Sequence, residues 1–423
     1  MKKTWLYGAV GLLALGAVAA YSQSVPVPQV TQIGGSDLFQ DIVGGQPQAQ
    51  SYYAPAPLLG NYSATLAGNG AENALIGGDA TTNLFAYGTT GSSVTTSVTY
   101  GGPNRWAYWS GTSTAMTVSQ DSTAGDITGP YKYFFKMART SGQTGVVPVC
   151  MMQEIESVNS YAFDGATAEL SFYATAGGNF SAASSTMNAY IMYGTGTDDG
   201  TNKFAFGLNA GGQGTVGATG QVNFTIPVVI TASPNRYGVV ANIPTTATEL
   251  AVALCFTPVG TAGTNDYIAF GGIQLTRNGA LSGVAGSTGA ALNTNDPRIK
   301  SFMRRSQQIE TSLQQRYYWN AAEAGTTDFG LGGAVSTTSA RYFIPNPTTM
   351  RVAPTPTATF GSMTTTGSTG TQINLTALAA TSGATTVYGI GLSGTVTLGL
   401  TIGNATMLQS NSGVGAVGGN AEL

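Results

Sequence analysis

The chain has 423 residues, and only 8% of them are charged, against about 25% in an ordinary soluble protein. Its net charge of −3 excludes a global basic surface for nucleic acid. It has no histidine, which excludes Ser-His-Asp and Cys-His catalysis and removes the commonest metal ligand. Yet 42% of the chain is hydrophobic and aromatics are well supplied, unlike a disordered chain. With 59 glycines, this composition implies folded, β-rich domains with many tight turns. Their surface must be built from Thr, Ser, Asn, Gln and Gly. Such surfaces are common in extracellular β-proteins and in subunits that bury much of themselves in an assembly.

Residues 1–24, "MKKTWLYGAVGLLALGAVAAYSQS", carry two lysines, an uncharged apolar run and an Ala-Val-Ala-Ala end. They read as an export signal or as an anchor retained in a larger particle. Residues 5–20, a little short for a spanning helix, are the one segment through which the chain would meet a membrane. Residues 25–74 are rich in Gln, Pro, Gly and Ala, as in "VPVPQVTQ". They favour extended or polyproline conformations and predict an arm that contacts neighbours, with a plain linker as the alternative.

From residue 75 to 281 short apolar or alternating runs recur between Gly, Asn, Asp and Pro turns, among them "RWAYWSG", "YKYFFKMAR" and "TELAVALCFTPV". In "AELSFYA" the period of two predicts Leu170 and Phe172 inward and Glu169, Ser171 and Tyr173 outward. Many short strands without a long helix predict an antiparallel jelly-roll sandwich. Cys150 and Cys255 sit in apolar runs. Two buried, unbonded strand cysteines are the simpler reading and a disulfide is the other. Glu154 and Glu156, two apart, point to one side of a strand, which suits an interface better than the opposed carboxylates of a glycosidase. "GTDDGTN", around Asp198 and Asp199, reads as a turn, with a weak calcium site as the competing reading. Tyr100, Trp109 and Tyr131 lie near predicted turns and are the candidates for stacking on a sugar. Packing in a core or an interface competes for each of them.

Residues 282–316 read as a Gly-rich connector and then an amphipathic helix. Asp296 is the predicted cap, Pro297 takes the first turn, and helical spacing runs from Arg298 towards Leu313. Five of the 16 basic residues fall here: Arg298, Lys300, Arg304, Arg305 and Arg316. "SLQQRYYWN", Ser312–Asn320, then reads as a joint. Leu313 and Tyr317 pack on the helix side, Arg316 bonds carbonyls at the helix end, and Tyr318 and Trp319 open the next sheet and fill the seam. Residues 317–423 return to strand patterns, and Val352–Ala421 hold no charge at all. Open strand edges that lack charge invite aggregation, so burial against sister subunits is the remedy this stretch suggests.

Several of these segments together resemble a family: structural proteins of tailed-bacteriophage virions that carry a carbohydrate-binding-like jelly roll. The resemblance covers about residues 75 to 360. It rests on Asn83-Leu84-Phe85, Arg105-Trp106, Gln153-Glu154, Gly165 with Leu170-Ser171-Phe172, Ile273-Gln274-Leu275, Gln315 to Tyr318 followed by Trp319, and Met350-Arg351 leading to Pro354-Thr355. It implies exposure on a virion as a fibre, a baseplate or neck part, or a capsid decoration. Its implied partners are other copies of the chain, with trimers favoured, other virion proteins and a host-surface glycan. A secreted or cell-surface adhesin is the alternative that the leader suggests. The sequence thus predicts an all-β chain: an antiparallel jelly-roll sandwich, a short linking helix and a second, smaller C-terminal β domain. It predicts a non-enzymatic role with no cofactor and no bound metal.

Overall fold

The computed structural model describes residues 73–81, 92–94, 99–100, 105–110, 116–122, 133–199, 218–277, 289–292, 296, 299–324, 328–359, 363–366, 371–381, 383–410 and 414–422. The leader, most of the arm, Tyr131 and Asn83-Leu84-Phe85 lie outside them. All described residues belong to the compact unit Gly70–Leu423.

The described chain is all-β, and its first part is an antiparallel jelly-roll sandwich. Its strands are β1 (Ser92–Val94), β2 (Thr99–Tyr100), β3 (Ala107–Ser110), β4 (Met116–Asp121), β5 (Phe134–Arg139), β6 (Val149–Ile155), β7 (Thr167–Ala176), β8 (Thr186–Gly194), β9 (Val222–Val229), β10 (Asn235–Asn242), β11 (Glu249–Phe256), β12 (Tyr267–Arg277) and β13 (Ala290–Leu292). One sheet has seven strands in the order β1-β4-β5-β12-β7-β10-β13, and the other six in the order β2-β3-β6-β11-β8-β9. Alternation builds the core between them. Leu170 and Phe172 of β7 point in, and Phe172 stacks on Tyr237 at 5.8 Å. Trp106 meets Phe135 edge-on at 5.5 Å in the same core. Residues 73–81 dock against the sandwich: Leu75 and Ala80 join its core, and Asn73 takes N–H groups from Leu75 and Leu275 on its side-chain oxygen.

Cys150 and Cys255 face each other directly across β6 and β11, with Cα atoms 4.1 Å apart, and they form a disulfide. Both are buried, as the simpler sequence reading expects, but the bond is present because strand pairing places them opposite one another. That register depends on chain folding over 105 residues and is not readable from either local run.

The linking helix α1 (Gln307–Gln315) is shorter than its pattern predicts and starts later, with Ser306 as N-cap accepting from the Ile309 N–H. The sandwich takes the backbone that the first predicted turns would need. The N–H of Lys300 donates to Glu169 Oε1 and that of Met303 to Gln274 Oε1, each at 2.9 Å. The Gln274 amide donates to the carbonyls of Lys300 and Ser301, and Arg236 reaches the Lys300 carbonyl too. Residues satisfied in this way gain nothing from helical hydrogen bonds. The same contacts bury Glu169 and Ser171, which point outward from β7 as predicted yet are sealed from solvent.

The C-terminal β domain follows. Its strands are β14 (Tyr318–Ala324), β15 (Asp328–Ala334), β16 (Ser339–Pro345), β17 (Thr355–Thr359), β18 (Met363–Thr366), β19 (Gln372–Ala380), β20 (Gly389–Val396), β21 (Ala405–Ser410) and β22 (Val414–Asn420). Six of them close into an antiparallel barrel, β15-β16-β20-β19-β18-β21, and β14-β22-β17 form a three-stranded sheet whose Trp319 and Val417 join the barrel's core cluster. Closure changes the argument drawn from the uncharged stretch. A closed barrel has no edge to protect, so its strands need no sister subunit for that purpose. Glycine permits the tight packing: a Cβ on Gly332 would run into the Arg341 carbonyl of the neighbouring strand.

Candidate functional site

Sequence and structure converge on the joint between sandwich and barrel. Arg105, on the turn leading into β3, has φ 67°, a left-handed backbone that side chains rarely adopt. Its neighbours over-determine that position. The guanidinium lies 3.8 Å from the ring centroid of Tyr317, donates to the Glu154 carbonyl at 2.8 Å, and forms an ion pair with Glu422 at the far end of the chain. Burial would lower the Arg105 pKa, but the Glu422 carboxylate and the Tyr317 and Tyr100 hydroxyls outweigh it and raise it, so the guanidinium stays charged. Burial pushes the Tyr317 hydroxyl up to about 12, against the opposing pull of Arg105. It also raises Glu422, despite Arg105 and Arg351.

A second set of charges lies beside the first. Arg316, the C-cap of α1, pairs with Glu156 at 3.1 Å, and Arg351 reaches Glu156 and Asp198, each at 3.7 Å. Backbone bonds stitch the same place: Arg351 N–H to the Arg316 carbonyl, and Ala421 N–H to the Tyr317 carbonyl at 2.7 Å. On the sandwich side of the helix, Glu310 accepts from the Gly77 N–H and pairs with Arg305, which donates to carbonyls of Asn73 and Leu75. Of 16 basic and 19 acidic residues in the chain, Arg105, Glu156, Asp198, Arg316, Arg351 and Glu422 meet here. A protein so poor in charge places this set where two β units touch.

The joint residues singled out in the sequence occupy distinct places. Tyr317 is buried under Arg105, and Leu313 is half-buried on α1. Arg316 turns to the Glu156 carboxylate across the joint instead of the helix-end carbonyls, because a buried anion is the stronger acceptor. Tyr318 is half-buried at the start of β14. Trp319 belongs to the C-terminal core, with its indole N–H on Asn346 at 3.0 Å, so it packs on the barrel side of the seam. Leu313 and Arg316 also border an open groove of about 580 Å³ with Ile309, Thr348 and Thr349.

The sugar-stacking candidates separate. Tyr100 and Trp109 come together on the outer face of the six-stranded sheet, beside the disulfide, Met152 and Tyr190. Trp109 stands in the middle of β3 opposite Cys150 and is 2% exposed, so it presents no ring face to solvent. Tyr100 is half-buried, and Tyr131 lies outside the described residues. Asp198 sits in a turn at φ 50° and accepts from the Ser157 N–H at 2.8 Å. Among the described residues no three His, Cys, Asp or Glu side chains group to hold a metal ion. No helix among them is long and apolar enough to cross a membrane.

Sequence reasoning did not single out Arg105, Arg351, Glu310 or Glu422 as members of a joint. The signal was their rarity: in this composition an isolated charge next to a strand or a terminus needs a partner, and Arg105, Arg351 and Glu422 are such residues.

Comparison with known proteins gives no family model and no curated protein that matches the chain. Partial similarity exists to solved structures. A tailspike protein 4 enzymatically active domain of bacteriophage CBA120 matches 49% of this chain and 21% of its own, at 13% identity and TM-score 0.30. A CBM4 structure matches 41% of this chain and 87% of its own, at 13% identity and TM-score 0.25. The tandem CBM22-1–CBM22-2 domain of Paenibacillus barcinonensis Xyn10C matches 84% of this chain and 91% of its own, at 9% identity and TM-score 0.24. The chain thus spans about a fifth of the tailspike domain it resembles. Likeness at this level does not place it in any of these families.

Proposed function

We propose that the chain is a non-enzymatic structural subunit exposed on a tailed-phage particle. The observation that supports this best is the joint. The ionisable side chains gathered there tie a sandwich to a closed barrel and are spent on mechanical coupling. A rigid two-part body with a nearly charge-free second part suits a fibre, a baseplate or neck part, or a capsid decoration, in which one part docks and the other projects. The sequence resemblance points the same way. Antibody raised to the sandwich and used for gold labelling of purified particles tests the reading. Discrete labelling at one particle feature is the expected result, and particles free of this chain by mass spectrometry would overturn it.

Two observations support companion readings. On the outer face of the seven-stranded sheet, Tyr173 and Tyr267 are half-buried, with Arg236 4.8 Å and Lys136 4.3 Å from their ring centroids. Such an amphipathic surface suits a host-surface glycan. Binding on a glycan array that a Tyr173→Ala variant loses is the expected outcome. The buried disulfide suits an oxidising compartment, which fits the secreted or cell-surface alternative and a particle that matures outside the cytosol. Mass spectrometry of the mature amino terminus separates these: an intact Met1 removes the export reading.

A further inference from the structure

The barrel carries large apolar side chains where a solvated surface would carry polar ones. Leu331, Val335, Phe343, Tyr388, Leu398 and Ile402 are between 48% and 71% exposed. Strand pairing and turn contacts place them along one side of the barrel, with Arg341 among them. Leu331 of β15 stands directly opposite Phe343 of β16 and also opposite Met407 of β21. The Phe343 ring lies over Gly389, whose chain neighbour is Tyr388. Val335 follows the end of β15 directly and is exposed as well. At that end of the barrel the Gly403 N–H donates to the Ala334 carbonyl at 2.9 Å and the Leu400 N–H to the Thr337 carbonyl at 3.1 Å. These bonds tie the turn that carries Leu398 and Ile402 to the residues flanking Val335.

We propose that this strip is a self-association surface whose partner is a second copy of this chain; the inference rests on the reading of the protein as an assembly subunit. Two arguments select that partner. The first is charge. The surrounding surface has no charge from Val352 to Ala421, and Arg341, opposite Gly333, is the charged residue within the strip. A partner with an ordinary charged surface would bury many ions without counter-ions, whereas the chain's own barrel brings an apolar face whose one cation, the exposed Arg341, can extend to the solvated rim. The second is area. Six side chains at this exposure supply on the order of 600–800 Å², close to the ~800 Å² per partner of a standard stable interface. That is more than the largest apolar patch usual on a monomer. A symmetric contact of one strip against its copy closes without leaving either strip in water.

Analytical ultracentrifugation of the full chain at micromolar concentration tests this. The wild type is expected to sediment as a multiple of 43.1 kDa. Leu331→Asp combined with Phe343→Ser is expected to return it to 43.1 kDa with unchanged thermal unfolding, since both side chains point away from the core. Should that pair unfold, Leu398→Asn with Ile402→Asn tests the same strip from the loop. Tyr161→Ser, on an exposed turn of the sandwich, should leave the assembly intact. A folded double variant that keeps the wild-type mass overturns the proposal, and so does a monomeric wild type. A monomeric wild type that is still found in purified particles would overturn this surface alone and leave the assembly reading standing.

Discussion

The sandwich and the barrel handle polar groups in opposite ways. The sandwich buries charges and pairs them. Arg139 and Asp266 are fully enclosed at 2.8 Å, and Arg139 also donates to the carbonyls of Gln143, Gly145 and Gly260 and to Ser181. It also carries a disulfide between central strands. The barrel has a core of Tyr342, Ile390, Leu392, Val396 and Leu408 without an ion pair among its described residues, and it relies on closure. An open sandwich has edges and loops to fix, and local ionic clamps fix them. A barrel fixes its strands against one another. The difference explains how one chain combines buried ions with a stretch of complete neutrality.

Arg139→Met leaves the Asp266 carboxylate buried without its counter-ion and should cost about 3–5 kcal/mol, read by urea unfolding of the sandwich's near-ultraviolet signal. A loss below about 1 kcal/mol would mean that the clamp is solvated and ordinary. Next is the disulfide. Cys150→Ser with Cys255→Ser should destabilise the sandwich by about 2–4 kcal/mol, and Trp109 fluorescence, next to the bond, should report the change. Because the joint couples the two parts, barrel unfolding should shift to the same lower midpoint.

The smallest effect concerns pH. Burial raises the Glu249 carboxyl above its ordinary 4.5, the Asp199 carboxylate adds to the rise, and the Asp199 N–H opposes it. Glu422 shifts in the same direction. The folded state then holds these protons more tightly than the unfolded one. The stability they contribute is complete below 4.5 and is lost as pH rises through the raised folded values. Stability should therefore increase on acidification in the window just above 4.5, and Glu249→Gln should flatten that slope. An unchanged slope in thermal melts of the variant would show that Glu249 titrates normally.

Much of the architecture was legible. Leu170 and Phe172 announced a core-facing strand, and the return of strand patterns after Trp319 announced a second β domain. What escaped has physical reasons. Helical spacing around Phe302 lost to side chains of Glu169 and Gln274, which are more than a hundred and nearly thirty residues away, respectively, from the backbone they bind. Barrel closure depends on β15 meeting β21, a pairing that no local pattern encodes. Sequence left Trp109 between packing and sugar stacking because predicted turns flank it, and the register of β3 against β6 packs it onto the disulfide. At the joint, Tyr317 was visible as an oddity in a run of aromatics. Its partner Arg105, and the Glu422 that pairs with Arg105, were not, since those two lie 317 residues apart in sequence.

We expect this charged joint to make sandwich and barrel one mechanical body. Differential scanning calorimetry of the wild type and of Arg105→Ala tests it most directly. The variant leaves Glu422 buried without its guanidinium, a loss of about 3–5 kcal/mol at the joint. One cooperative transition in the wild type that splits into two in Arg105→Ala is the predicted result. Two separate transitions already present in the wild type, or a single transition unmoved by the substitution, would contradict it.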